Sequence, residues 1–293
     1  MQYVISGDQH LRYDVPICRT ETQEEWLLFQ EKQFTSIIKL ANEKQAALFL
    51  TGDLFDISRV PAEIVNMAVR TINKAEYPVY MISGNHEKLY HREANVDVSS
   101  IGVFKDHPKV KYFTADENVY GTRFQHSAKV LDDVTIVHTL CFRTEEEVPF
   151  GINCCTAQSL LDMYNTKYIF TGDMHIPFIY SAAGRTVINP GKMTVQNVSE
   201  AEQVPLVYIL DTDTGKIDKY FLDNPKVSRE HILAREERDS RIAAAIQLIK
   251  TGKSISLSFK DNLHTAVQAS DISTEAMDII MEIEEEVTKG DNK

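Results

Sequence analysis

One triplet constrains this chain more than any other feature: a hydroxyl residue, a glycine, then Asp or Asn, repeated four times at the end of an apolar stretch. It occurs as Ser6-Gly7-Asp8, Thr51-Gly52-Asp53, Ser83-Gly84-Asn85 and Thr171-Gly172-Asp173. Composition alone would give roughly 0.2 such triplets. A strand ending in glycine turns sharply and presents the next side chain at the carboxyl edge of a sheet, where open α/β proteins place their ligands. Four such edges aim four oxygen donors at one crevice.

The stretches before the triplets are rich in β-branched and aromatic residues and alternate with segments of helical period, which predicts an α/β fold. Strands are expected at Tyr3 to Ser6, Ala47 to Thr51, Val79 to Ser83, Thr135 to Thr139, Tyr168 to Thr171, Thr186 to Asn189 and Leu206 to Asp211. Thr22 and Glu25 have capping-box spacing and open a helix whose apolar face holds Trp26, Phe34, Ile37, Ile38 and Ala41. A second helix is predicted from Pro61, with Ile64, Val65, Ala68, Val69 and Ile72 along one side. Beyond Asn224 the strand pattern weakens and helices are expected at Arg229 to Lys250 and Thr274 to Thr288. The predicted organisation is a main domain over 1–222 and a small α-rich C-terminal extension over 223–293.

The net charge of the 293-residue chain is −12, which argues against a general affinity for nucleic acid or anionic membrane but leaves room for a local basic groove. Residues 270–293 carry eight acidic side chains against two lysines, so half of that charge sits in the tail. No apolar run reaches the roughly 18 residues of a membrane span, and the start, Met1-Gln2-Tyr3-Val4-Ile5, lacks the basic-then-apolar pattern of an export signal. A cytoplasmic protein with no membrane partner is expected. Cys18, Cys141, Cys154 and Cys155 form no CxxC pair, so they read as reduced, structural thiols.

Histidines accompany the triplets. His10 lies two residues after Asp8, His86 directly after Asn85 and His175 two residues after Asp173, while His138 ends the apolar run Val134 to Val137. Carboxylates, an amide oxygen and imidazoles form a mixed O/N set suited to manganese, iron or zinc. The candidate ligands exceed what one ion needs, so two metals sharing a carboxylate is the economical arrangement.

Asp8-x-His10, Gly52-Asp53, Gly84-Asn85-His86-Glu87, His138 and Gly172-Asp173-x-His175, in that order, resemble the signature of the calcineurin-like metallophosphoesterase superfamily. Within it, Gly52-Asp53-Leu54-Phe55-Asp56 with Pro61 beyond, and the Asn189-Pro190-Gly191 turn, are similar to the SbcD-type nucleases of DNA double-strand-break repair and their phage counterparts. The resemblance implies a four-layer α/β/β/α sandwich with two mixed sheets. It assigns Asp8, His10 and His175 to a first ion, Asn85, His138 and Asp173 to a second, and Asp53 to the bridge. Hydroxide shared by the ions would attack phosphorus in line, with His86 as general acid and Glu87 as the carboxylate that holds it. Two divalent ions are implied, manganese first and magnesium, iron or zinc as alternatives. DNA duplex ends, a homodimer and an SMC-like coiled-coil ATPase of the SbcC type are the implied partners.

This chain departs from the family at Asp173, where histidine is usual. A carboxylate there favours manganese or magnesium over zinc, unless Asp173 turns away and leaves the second site weak. His91 and Arg92 follow His86 closely and are candidate substrate-binding residues, although surface packing is the commoner fate of such side chains. Arg229, Arg235, Arg238 and Arg241 are interleaved with acids, as in a solvated helix, and could otherwise contact DNA. The stripe Ala276, Ile279, Ile280, Ile283, Val287 suits either self-packing or docking on a partner. The alternative function is a stand-alone phosphatase or small-substrate phosphodiesterase, favoured by the acidic charge and the short interval from His86 to His138.

Overall fold

The computed structural model describes residues 1–91, 93–114, 127–152, 154–197 and 200–224. Arg92, the predicted helices beyond Asn224 and nearly all of the 223–293 extension lie outside the described residues. In chain order the elements are β1 (Gln2–Ser6), α1 (Gln23–Glu43), β2 (Ala47–Leu50), α2 (Ala62–Ile72), β3 (Val79–Ile82), β4 (Val110–Phe113), β5 (Ser127–Leu131), β6 (Val134–His138), β7 (Cys141–Phe142), β8 (Cys155–Thr156), α3 (Ala157–Met163), β9 (Tyr168–Gly172), β10 (Phe178–Ala182), β11 (Arg185–Asn189), β12 (Leu206–Asp211) and β13 (Ile217–Phe221).

Among the described residues these strands form two mixed sheets and a small ladder. The first sheet has the order β13-β12-β1-β2-β3-β4 and the second β10-β11-β9-β6-β5, while β7 pairs with β8. In the first, β1 to β4 run parallel, β12 antiparallel to β1 and β13 antiparallel to β12; in the second, β11, β9 and β6 are parallel, with antiparallel strands at both edges.

Side chains alternate across each strand, and three apolar layers result. Val4, Leu48 and Leu50 point away from the second sheet and pack on Phe34, Ile37, Ile38, Ile64 and Ala68 of α1 and α2. Their neighbours Ile5, Phe49 and Ile82 face Ile136, Phe170 and Ile188 across the gap between the sheets. On the far side of the second sheet, Val137, Ile169 and Val187 pack with Leu160 and Leu161 of α3. Strands covered on both faces need near-continuous apolar sequence, which is why the central ones were readable.

The capping box at Thr22 is present, with its hydroxyl accepting from the Glu25 amide and the Glu25 carboxylate accepting from the Thr22 amide at 2.8 Å. Trp26, Phe34, Ile37, Ile38 and Ala41 are all buried. Helix α2 begins at Ala62 rather than Pro61, because Pro61 stays extended (ψ 148°) and its carbonyl accepts the first helical bonds. The strands missing from the sequence reading, β4, β5, β7, β8, β10 and β13, are sheet edges or two-residue pieces. Strand β13 is exposed over most of its length, and an edge with one wet side carries no apolar run. Helix α3 spans only seven residues, too short for a visible period.

Phe49 lies at the centre of the inter-sheet layer, 4.9 Å from the Tyr3 ring, 4.7 Å from Tyr80 and 5.0 Å from Phe170. Phe49→Ala is expected to cost about 3–5 kcal/mol of folding free energy in urea denaturation. A loss below about 1 kcal/mol would show that the sheets are not held by this layer.

Candidate metal centre

The four triplets do stand at strand ends, after β1, β2, β3 and β9, and His138 closes β6. Backbone bonds lace their loops together. The Asp8 amide donates to the Gly52 carbonyl (3.3 Å), His10 to Asp53 (2.9 Å) and Leu11 to Leu54 (2.8 Å), so the first two loops run side by side. The Asp173 amide donates to the Asp8 carboxylate at 3.0 and 3.2 Å and ties in the second sheet. Asp8, His10, Asp53 and Asp173 have φ of 47°, 44°, 51° and 78°. Non-glycine residues in this left-handed region each cost on the order of 1–2 kcal/mol, and such strain concentrates at functional sites.

The glycines serve close approach more than turning. A Cβ on Gly84 would fall 1.9 Å from Asp53 Oδ1, and one on Gly52 (φ 102°) would fall 2.4 Å from His138 Nδ1. Only a bare backbone lets these two side chains into position.

Three sets of donor atoms gather here, each within 4.8 Å of one another: Asp8, His10 and His175; His10, Asp53 and His86; Asp8, Asp53 and His138. His138 Nε2 also lies 2.8 Å from Asn85 Oδ1, 3.2 Å from Asp53 Oδ2 and 3.8 Å from Asp173 Oδ1. Asp173 Oδ1 thus lies on the His138 side of the cluster. Buried His10 Nε2 has no hydrogen-bond partner, though it faces Asp8 Oδ1 at 3.9 Å and Asp53 Oδ2 at 3.8 Å. A buried imidazole nitrogen aimed between two carboxylates fits a cation. These candidate His/Asp groups are consistent with a dinuclear metal centre.

The far nitrogens of His138 and His175 are each fixed by an acceptor. His138 Nδ1 donates to the Thr51 carbonyl at 2.8 Å and His175 Nδ1 to Glu200 at 2.8 Å, while His10 Nδ1 lies 3.3 Å from Asp56 Oδ1. Such partners set the tautomer and leave Nε2 for the metal. Glu200 also holds the buried Lys192 at 3.2 Å, and Asp56 holds Arg12 at 3.2 Å. The sequence reading missed the roles of Glu200, Lys192 and Arg12, because no spacing links them to the ligands. Asn189 Nδ2 donates to the carbonyls of Met174 and Ile176, both at 2.7 Å, and so clamps the backbone on either side of His175.

Burial pushes the Asp8 carboxyl well up, an effect that the nearby carboxylates of Asp53 and Asp173 reinforce. Burial alone would lower His138, but Asp53, then Asp173 and Asp8, carry it to about 10. The carboxylate cluster thus holds positive charge in place, as a cation site must.

Glu87 corrects an expectation. Its carboxylate accepts from the Phe55 amide at 3.0 Å and the Gly84 amide at 2.8 Å, so it joins two loops and does not hold the His86 ring. Burial raises it to about 7. His86 is exposed; its Nδ1 donates to the Asp56 carbonyl at 2.6 Å and its amide to Asp53 Oδ1 at 3.0 Å. His91 closes the segment Leu89–His91, broken at Tyr90 (φ 56°), and Arg92 lies outside the described residues.

Two mixed sheets with carboxylates and imidazoles converging from their strand ends define a metal-dependent phosphoesterase, a hydrolase. Residues 1–177 match the family model of the calcineurin-like phosphoesterases, and the chain belongs to that family. The DNA double-strand break repair protein Mre11 of Archaeoglobus fulgidus is 22% identical over 246 residues, 70% of this chain and 52% of that protein. This chain thus spans about half the length of the curated relative it matches. Among solved structures, an archaeal phosphodiesterase is 14% identical with a TM-score of 0.43, covering 76% of this chain and 100% of its own. Vps29 of Entamoeba histolytica in complex with zinc is 13% identical with a TM-score of 0.37, covering 76% and 99%. No helix among the described residues is long and apolar enough to cross a membrane.

Gly84→Ala is expected to keep the fold by circular dichroism and to weaken manganese binding at least tenfold to about a hundredfold in calorimetry, by displacing Asp53. Unchanged affinity would show that Asp53 is not held by this approach.

Proposed function

We propose that this protein is a two-metal phosphodiesterase acting on DNA, the nuclease subunit of an SbcD-like recombination and repair complex. The observation that carries the reading is the mutually aimed set of Asp8, His10, Asp53 and His138, all buried, with the half-buried His175. The sequence motifs and the distant likeness to a DNA double-strand break repair protein support DNA as substrate. Manganese is the proposed metal, since Asp173 adds a hard carboxylate to the set. Asp8, His10 and His175 would hold one ion and Asn85, His138 and Asp173 the other, with Asp53 between them. Bound there, two divalent ions supply Lewis acidity toward the phosphoryl oxygens and a nucleophile at neutral pH.

The chain's own residues do the remaining work. Asp53 orients the His86 loop through the His86 amide, and the Asp56 carbonyl accepts a hydrogen bond from Nδ1–H, so that a proton carried on Nε2 can pass to the leaving oxygen. Glu87 keeps the Gly84 and Phe55 backbones in register beneath it. Residues 1–222 form the nuclease unit in this reading, and 223–293 serve DNA contact or the docking of a coiled-coil ATPase on a homodimer.

A second reading is a stand-alone phosphatase or small-substrate phosphodiesterase, favoured by the net charge of −12. The separating experiment is manganese-dependent cleavage of end-labelled linear duplex, run beside nitrophenyl phosphate mono- and diesters. His86→Ala is expected to retain metal and lose about 10²–10⁴-fold in turnover, while Asp53→Ala loses metal and turnover together. Robust ester hydrolysis with intact DNA would select the second reading, and near-normal hydrolysis by either variant would remove the site assignment.

A further inference from the structure

A cavity adjoins the loop that carries His175. It has a volume of about 260 Å³ and is lined by Phe142, Met174, Ile176, Pro177 and Phe178, with Arg143 and Glu147 beside them. Met174 and Ile176 are the immediate neighbours of His175, so one loop supplies a candidate metal ligand and a wall of the cavity. That wall is held in place, because Asn189 clamps the carbonyls of both residues. The packing of Met174 and Phe178 into the α3 layer anchors it from below.

The chemistry of the lining is unlike that of the metal centre. Phe142 and Phe178 offer ring faces and edges, and Met174 a polarisable thioether. Ile176 is 56% exposed, a large apolar side chain left facing water one residue from a ligand. Arg143 is ion-paired with Glu147, so the charged pair is neutral as a whole and offers a planar guanidinium rather than an unbalanced cation. A surface of this kind has no attraction for a second phosphate and suits a flat, largely uncharged heterocycle. The volume lies just below the range of pockets that enclose drug-sized ligands, so it accommodates one nucleobase and not a base pair.

We propose that this cavity is a nucleobase subsite, which takes the base of the single nucleotide whose phosphate lies at the metal centre. The inference rests on the phosphodiesterase reading and refines its substrate to a nucleotide unit freed from base pairing. A duplex end would have to release one base into the cavity, at the cost of a few kcal/mol for unstacking that contact with the lining would offset.

The test has a binding arm and a turnover arm, both on the full manganese-loaded chain. In calorimetry, 2′-deoxyadenosine 5′-monophosphate is expected to bind roughly five- to a hundredfold tighter than 2-deoxyribose 5-phosphate, the range for stacking one base. In turnover, kcat/KM for the p-nitrophenyl ester of thymidine 5′-monophosphate should exceed that for methyl p-nitrophenyl phosphate by a similar factor. Phe142→Ala with Ile176→Ala, both at partly exposed positions, should bring each ratio down toward one, mainly through KM. Equal binding of the two phosphates, or ratios unmoved in the double variant, would overturn the subsite. Base-dependent binding without hydrolysis of either ester would instead uphold the subsite and remove the phosphodiesterase reading. Hydrolysis of both esters at equal rates with no base-dependent binding would do the reverse.

Discussion

The burial of Asp53 sets the terms for everything around it. Its carboxylate is shut away from water, its own backbone is held at φ 51°, and its carbonyl accepts the amide that positions His10. One carboxylate oxygen takes the His86 amide and the other lies 3.2 Å from His138 Nε2. A buried anion is tolerated only where donors and cations surround it. The loops after β1, β2 and β3 and the end of β6 therefore have to arrive at one point. They can do so because Gly52 and Gly84 lack side chains that would collide with His138 and Asp53. The sheets supply the rigidity that this demands: four left-handed non-glycine residues at about 1–2 kcal/mol each are a strain that an isolated loop would relax.

Charge balance explains why an acidic protein can house such a site. Asp8, Asp53 and Asp173 converge as carboxylates, whereas the outer acids have partners of their own, Asp56 with Arg12 and Glu200 with Lys192. The outer groups are thus nearly neutral pairs that orient imidazoles without adding net charge at the centre. Two divalent ions would balance three carboxylates and the hydroxide between them, so a loaded centre would not repel a phosphodiester even though the chain as a whole is at −12. Total charge is a poor guide to the substrate here, and half of it lies beyond residue 269.

How much of this was legible in the sequence follows from physical reach. The central strands were readable since both faces are buried and the apolar run is continuous, and the donor residues were readable because each sits at a fixed offset from a strand-ending glycine. Edge strands such as β13 were not, because their wet side breaks the run. Glu87 was misread for a geometric reason. In a tight turn consecutive side chains point apart, so His86 goes outward to the Asp56 carbonyl while Glu87 goes inward to the Gly84 and Phe55 amides. Glu200 and Lys192 could not have been found at all by spacing. The loop that brings them to His175 is specified by tertiary packing and by the turn at Asn189, not by any local pattern.

The same turn ties the candidate metal centre to its neighbouring cavity. Asn189 fixes the carbonyls of Met174 and Ile176, so any movement of His175 toward or away from an ion must carry the cavity wall with it. Recognition in the proposed reading is then divided between two chemistries on one rigid loop. Charge and hard donors act on the phosphate, and neutral, polarisable surface acts on the base. A site so divided gains little from a basic surface, because the base is selected by contact area and the phosphate by the ions. The acidic balance of the chain is therefore compatible with a nucleotide substrate, and discrimination against phosphate esters that lack a base falls to the neutral cavity.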